Sequence, residues 1–162
     1  MTLPRVAALQ MTSGNDLAAN LAAATRLLER AVGEGACLAA LPENFAFMGA
    51  READKLVHAE VDGAGPIQDF LAANAQRLGL WIVAGTVPLA VEDDPKRVYP
   101  ASLVYDANGR RSARYDKIHL FDVEVLREGK LERYRESNSF KPGPWNAVTV
   151  DTPAGRLGLS VC

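Results

Sequence analysis

Four residues have side chains that suit covalent catalysis by a cysteine. Cys162 ends the stretch "GRLGLSVC", Glu43 follows the apolar run "LAALP", Lys117 lies in "YDKIHLFD", and Glu136 lies in "YRESNSF". A thiol becomes a strong nucleophile once it is deprotonated, which requires a nearby base or positive charge. A carboxylate provides the base, and an ammonium stabilises the negative charge that develops during attack on a carbonyl carbon.

Each of these residues also has an ordinary structural explanation. Most free cysteines are buried in a core, and Cys37, between alanine and leucine in an apolar stretch, is predicted to be one of them. Lysines at strand ends are usually solvated, so Lys117 alone indicates little, and Glu136 lies in a polar stretch that resembles a loop. Glu43 is harder to explain, because a carboxylate among Leu, Pro and Phe side chains is costly to bury without a partner.

His119 offers an alternative pairing. A cysteine and a histidine form the catalytic pair of papain-type enzymes, so Cys162 with His119 is a second possible arrangement. Many sequences contain a cysteine and a histidine that a fold could bring into contact, so this signal is weak. The two histidines and two cysteines lack the spacing of a zinc site, and "DGAGP" lacks a nucleotide-binding fingerprint and is interpreted as a turn. The residues therefore give no signal for a zinc ion or a bound nucleotide.

The apolar pattern predicts elements that place these residues at strand ends. Strands are predicted at 5–11, 36–43 and 80–87, and two helices alternate with them. The first helix begins at Asn15–Asp16 and ends at Gly33–Gly35; the second begins with Pro66 and stops at Gly79. The central strand 36–43 would deliver Glu43 to its tip.

The later part of the chain favours antiparallel pairs. Asn108-Gly109 between two strands is a strong hairpin signal, and "DTPAG" separates "AVTV" from "RLGLSVC" in the same way. "RLGLSVC" is interpreted as a buried strand that carries Cys162 at its end. Together these elements predict an α/β fold with a mixed sheet and helices packed against at least one face.

Composition excludes several classes of protein. The 162 residues are 48% hydrophobic and 23% charged, which is a globular balance, and the formal net charge is −2. Without a long basic run, neither nucleic acid nor a membrane surface is an expected partner. The N-terminus does not resemble a signal peptide, and two cysteines are too few for a disulfide framework. A reducing, cytoplasmic location is therefore predicted.

Four motifs, taken in order, carry a resemblance to a known family. "LPENF", "YDKIHLFDVEV", "YRESNSFKPG" and "TPAGRLGLSVC" resemble the carbon-nitrogen hydrolase (nitrilase) superfamily over the whole chain. The resemblance implies that Glu43, Lys117 and Cys162 form a catalytic triad and that Glu136 is the family's second glutamate. It also implies an α-β-β-α sandwich, of which residues 1–162 would be the N-terminal part of a single domain that ends at the nucleophile, with the C-terminal part missing.

The resemblance implies an amidase that needs no cofactor. The motifs look most like the amidase branch that includes deaminated-glutathione amidase and omega-amidase, so the expected substrate is a small amide that bears a carboxylate. A homo-oligomer is expected, because family members commonly assemble through the sandwich. A nitrilase or another amide hydrolase of the superfamily, a thiol-dependent peptidase, and a catalytically silent assembly partner stay open as alternatives.

Overall fold

A five-stranded mixed sheet forms the centre of the protein. The computed structural model describes residues 3–127 and 129–162, and its main sheet contains, side by side in chain order, β1 (Val6–Ala8), β2 (Leu38–Leu41), β3 (Trp81–Ala90), β4 (Val98–Tyr105) and β5 (Arg111–Asp116). The pairs β1–β2 and β2–β3 are parallel, whereas β4 pairs antiparallel with both β3 and β5. The α/β fold class with a mixed sheet is therefore confirmed.

Two helices form where the sequence predicts them. Helix α1 (Leu17–Gly33) starts after Asp16, whose side chain accepts a hydrogen bond from Ala19 N at 3.0 Å and so caps the first turn. Helix α2 (Pro66–Leu78) has proline in its first turn and ends at Gly79, which takes the left-handed conformation at φ 59°. Short 3₁₀ helices cover Glu52–His58 and Glu136–Asn138.

The core lies between these two helices and the sheet. The helices contact each other and pack on the strands, and their apolar faces meet the central strands in one cluster. Leu28, Leu71, Ile82 and Leu103 are among its fully buried members. Burying each such side chain contributes about 1.5–3 kcal/mol, which gives the sheet a rigid support for the residues at its strand ends. Among the described residues, no helix is long and apolar enough to span a membrane.

Two further hairpins follow the sheet. Strands β6 (Asp122–Arg127) and β7 (Lys130–Arg135) form a hairpin that the apolar pattern did not predict. Most of its residues are exposed and many are charged, and Glu124 on β6 forms ion pairs with Arg133 and Arg135 on β7. Strands β8 (Thr149–Thr152) and β9 (Gly155–Gly158) form the hairpin expected around "DTPAG".

Two strand predictions were partly wrong. The predicted strand 5–11 is reduced to Val6–Ala8, and Cys37 precedes β2 instead of lying within it. Cys37 is also half-buried, and its Sγ lies 3.4 Å from the Arg5 carbonyl oxygen, so the prediction of a buried core cysteine is wrong. Cys37 lies immediately before the strand: its N–H donates to the Arg5 carbonyl at 2.9 Å, but the residues paired with both β1 and β3 are 38–40.

The interpretation of "RLGLSVC" as a buried strand is also wrong. Strand β9 ends at Gly158, and Cys162 is exposed. Leu157, Leu159 and Val161 are half-buried, whereas the small residues between them face outward. One face of the segment is therefore partly buried and the other is exposed, as is usual for an extended segment at a surface.

Candidate active site

Lys117 is the most buried charged side chain of the predicted site. It follows β5, its backbone N–H donates to the Pro100 carbonyl at 3.0 Å, and its carbonyl accepts from Gly143 N at 2.9 Å. Only 3% of its side chain is exposed. An ammonium at this depth requires negative partners, because its desolvation would otherwise favour the neutral amine.

Two carboxylates supply that negative charge. Lys117 Nζ lies 2.9 Å from Glu43 Oε1 and 3.0 Å from Glu136 Oε2. Burial alone would lower the pKa of Lys117, but the hydrogen bonds and charges of Glu43 and Glu136 outweigh burial and hold the pKa above its usual value of 10.5. Lys117 is therefore a permanent cation at neutral pH and is unsuited to act as a base.

Glu136 is held by the base of the β6–β7 hairpin. Its Oε2 accepts a hydrogen bond from Phe121 N at 2.7 Å, just before β6, and Glu136 itself follows β7 directly. Asp122 accepts hydrogen bonds from Ser137 N at 3.0 Å and from Ser137 Oγ at 2.6 Å. These bonds join the start of β6 to the residue that follows Glu136. The unpredicted hairpin thus brings the glutamate to Lys117.

Glu43 and Cys162 line one pocket. It is open to solvent, has a volume of about 270 Å³, and lies where β2, β3 and β4 meet the segment 160–162. Glu43 lies two residues after β2, and about a third of its side chain is exposed (34%). The residues that line the pocket are Ala40, Leu41, Glu43, Val83, Gly85, Ser102, Ser160, Val161 and Cys162. Glu43 therefore links the buried Lys117 to the space that contains the thiol.

Two glycines that the sequence analysis overlooked allow the backbone to reach this geometry. A Cβ at Gly85 would overlap the Pro42 carbonyl, next to Glu43. A Cβ at Gly143 would overlap the Asp116 carbonyl, next to Lys117. An isolated glycine within an apolar strand pattern indicates a bulge or a close backbone approach, so "VAGTV" carried a signal for Gly85.

His119 does not join these residues. Its ring lies edge-on against Trp145, with 5.1 Å between ring centroids, and it is absent from the lining of the pocket that contains Cys162. The arrangement gives no support to the papain-type pairing. Among the residues that the structure describes, no group of His, Cys, Asp and Glu side chains is placed to hold a metal ion.

Comparison with known proteins identifies the family. The carbon-nitrogen hydrolase family model matches residues 5–162. The chain is 39% identical over 157 residues to a deaminated glutathione amidase of Yersinia enterocolitica and 36% identical over 162 residues to the Homo sapiens protein of the same name. These matches cover 97% and 99% of this chain but 53% and 48% of the relatives, so the chain spans about half their length.

A solved structure has the same fold. The Caenorhabditis elegans NitFhit protein superposes with a TM-score of 0.85 at 33% identity, which covers 100% of this chain and 39% of that chain. The chain belongs to the carbon-nitrogen hydrolase family. The resemblance predicted from the four motifs is therefore confirmed.

Proposed function

We propose that the protein to which this chain belongs is an amidase that hydrolyses the C–N bond of a small amide through a cysteine thioester. The observation that carries the proposal is the buried Glu43–Lys117–Glu136 ion cluster, which opens through Glu43 into the pocket lined by Cys162. Membership of the carbon-nitrogen hydrolase family supports the same reaction class.

The chemistry begins with a proton transfer from Cys162. Glu43 accepts the thiol proton as the sulfur attacks the amide carbonyl carbon, because a carboxylate is the base available in the pocket. The C–N bond then breaks, Glu43 returns the proton to the leaving ammonia, and an acyl thioester stays on Cys162. A water activated by the same carboxylate attacks the thioester and releases the acid and the thiol.

Lys117 stabilises the oxyanion in both steps. Its Nζ donates to Glu43 Oε1 at 2.9 Å and to Glu136 Oε2 at 3.0 Å, and it makes a longer contact of 3.3 Å with Glu136 Oε1. An ammonium has three N–H donors, so as negative charge develops on the substrate carbonyl oxygen, the weak 3.3 Å contact is exchanged for a hydrogen bond to that oxygen. A fixed donor of this kind is worth about 3–4 kcal/mol in the transition state. Glu136 holds the ammonium in place.

The substrate proposal is a small amide that also bears a carboxylate. It follows the names of the relatives, which are deaminated glutathione amidases. We further infer a cytoplasmic homo-oligomer; light scattering of the full-length protein tests the assembly, and a monomer would contradict it.

The test is ammonia release by the full-length protein. Deaminated glutathione, 2-oxoglutaramate and an aliphatic nitrile are compared as substrates, and Cys162→Ser is paired with Cys37→Ser as a matched control. We expect turnover of a carboxylate-bearing amide that Cys162→Ser abolishes and Cys37→Ser retains. Ammonia release only from the nitrile would favour a nitrilase. No release from any substrate would favour the silent assembly partner.

A further inference from the structure

A threonine behind the pocket contacts the residue that follows Glu43. Thr86 is 3% exposed, and its Oγ1 accepts a hydrogen bond from Asn44 N at 2.9 Å. The same hydroxyl lies 3.4 Å from Asn44 Oδ1, to which it donates. A single buried hydroxyl therefore contacts both the backbone and the side chain of Asn44.

Asn44 has an unusual backbone conformation. Its φ is +57°, and it is the one non-glycine residue with positive φ among those that the structure describes. This left-handed conformation costs about 1–2 kcal/mol for most residues and is tolerated best by asparagine and aspartate. The Asn44 N–H belongs to the peptide group that joins Glu43 to Asn44, so the hydrogen bond to Thr86 anchors the backbone directly after Glu43.

A bulge in β3 brings Thr86 to this turn. Ala84 pairs with Leu103 and Val87 pairs with Ala101, so Gly85 and Thr86 together oppose one residue of β4, Ser102. Such bulges redirect side chains and occur often beside active sites. The bulge also lets Gly85 meet the Pro42 backbone, so the residues on both sides of Glu43 are held by consecutive residues of β3.

We propose that Thr86 is a positioning residue for Glu43: its hydroxyl fixes the left-handed turn at Asn44 so that the carboxylate faces both Lys117 and the thiol pocket. This inference rests on the proposed amidase function, in which Glu43 is the base. Thr86 does not line that pocket, so it acts through Asn44. The cavity beside Thr86 and Asn44 has a volume of about 10 Å³, which admits at most one water in place of the hydroxyl.

The test compares Thr86→Val with Thr86→Ser in the full-length protein. Valine keeps the volume and removes the hydroxyl, whereas serine keeps the hydroxyl. We expect Thr86→Val to lower kcat by about 10- to 100-fold with KM changed by less than about threefold, because the base is displaced while the substrate pocket stays. Thr86→Ser should lie within about threefold of the wild type. Thr25→Val is the control, because it removes a helical hydroxyl bonded to Leu21 O at 3.0 Å.

A second readout does not depend on turnover. The rate of Cys162 alkylation by iodoacetamide is measured against pH and localised by peptide mass, with Glu43→Gln as the reference for loss of the base. We expect the Thr86→Val profile to move towards that of Glu43→Gln and the Thr86→Ser profile to follow the wild type. If Thr86→Val does not melt cooperatively, Thr86→Ala takes its place with the same readouts.

Two results would overturn the inference. One is a Thr86→Val protein with wild-type kcat and a wild-type alkylation profile. The other is a Thr86→Ser protein as impaired as Thr86→Val, which would mean that packing, and not the hydroxyl, matters. If the wild-type protein hydrolyses no amide, the proposed function fails, and the alkylation profiles still decide the role of Thr86.

Discussion

Replacing Gly85 by alanine should separate Glu43 from Lys117. The added Cβ would overlap the Pro42 carbonyl oxygen and lie 2.9 Å from the Leu41 carbonyl oxygen, closer than real Cβ contacts allow. Both obstacles are backbone atoms, so β2 and β3 must move apart by about 1 Å, and a misplacement of that size costs about 100-fold in rate. The hydrogen bond between Lys117 Nζ and Glu43 Oε1, now 2.9 Å, would be lost or lengthened.

The expected cost in stability is smaller than the cost in activity. Overpacking of this kind destabilises a protein by about 1–3 kcal/mol, so Gly85→Ala should still fold. The assay is kcat/KM for ammonia release and the free energy of unfolding in urea, both on the full-length protein. Gly33→Ala is the matched control, because a Cβ there meets nothing within 4 Å. A Gly85→Ala enzyme as active as Gly33→Ala would refute the reasoning that this close approach positions Glu43.

Two further predictions concern the ion cluster. In Glu136→Gln the amide oxygen can keep the Oε2 position, which accepts from both Lys117 Nζ and Phe121 N, but the amide NH2 then takes the Oε1 position, 3.3 Å from Lys117 Nζ. Lys117 loses a negative partner and faces another donor, which costs about 1–3 kcal/mol, or roughly 5- to 150-fold if it falls entirely on kcat. Unchanged steady-state kinetics would make Glu136 a bystander. The pKa of Lys117 is raised on folding, so its contribution to stability is complete below its unfolded pKa of about 10.5 and is lost as pH rises through the higher folded value. The difference in unfolding free energy between wild type and Lys117→Met, measured in urea, should therefore be constant from pH 7 to about 10 and narrow above that, whereas a constant difference at higher pH would contradict the assignment.

Local sequence signals located much of the fold. Asp16 as a cap, Pro66 in a first turn and Gly79 as a stop act within a few residues of themselves, and the two helices begin and end where these residues predict. The apolar run before Glu43 correctly predicted a central strand, because β2 pairs on both edges. Lys117 was likewise correctly placed just after a strand.

Features that depend on long-range contacts were not predictable in this way. The β6–β7 hairpin lies outside the main sheet and most of its residues are exposed, so its strands are charged, and the short alternation of Val123 and Val125 with Asp122 and Glu124 was not recognised as a strand. The contact between Gly85 and Pro42 depends on strand register, which residue spacing does not give. The four motifs named Glu43, Lys117, Glu136 and Cys162 as a site, and the catalytic roles of these residues stay predictions.

The most direct test of the central claim is detection of an acyl group on Cys162. The full-length protein is mixed with a carboxylate-bearing amide that it hydrolyses, quenched in acid within one turnover, and digested with trypsin. The account predicts that the peptide beginning at Leu157 gains the mass of the acyl group, while the peptide that contains Cys37 is unmodified. Turnover without any adduct on the Leu157 peptide, together with full activity of Cys162→Ser, would contradict it.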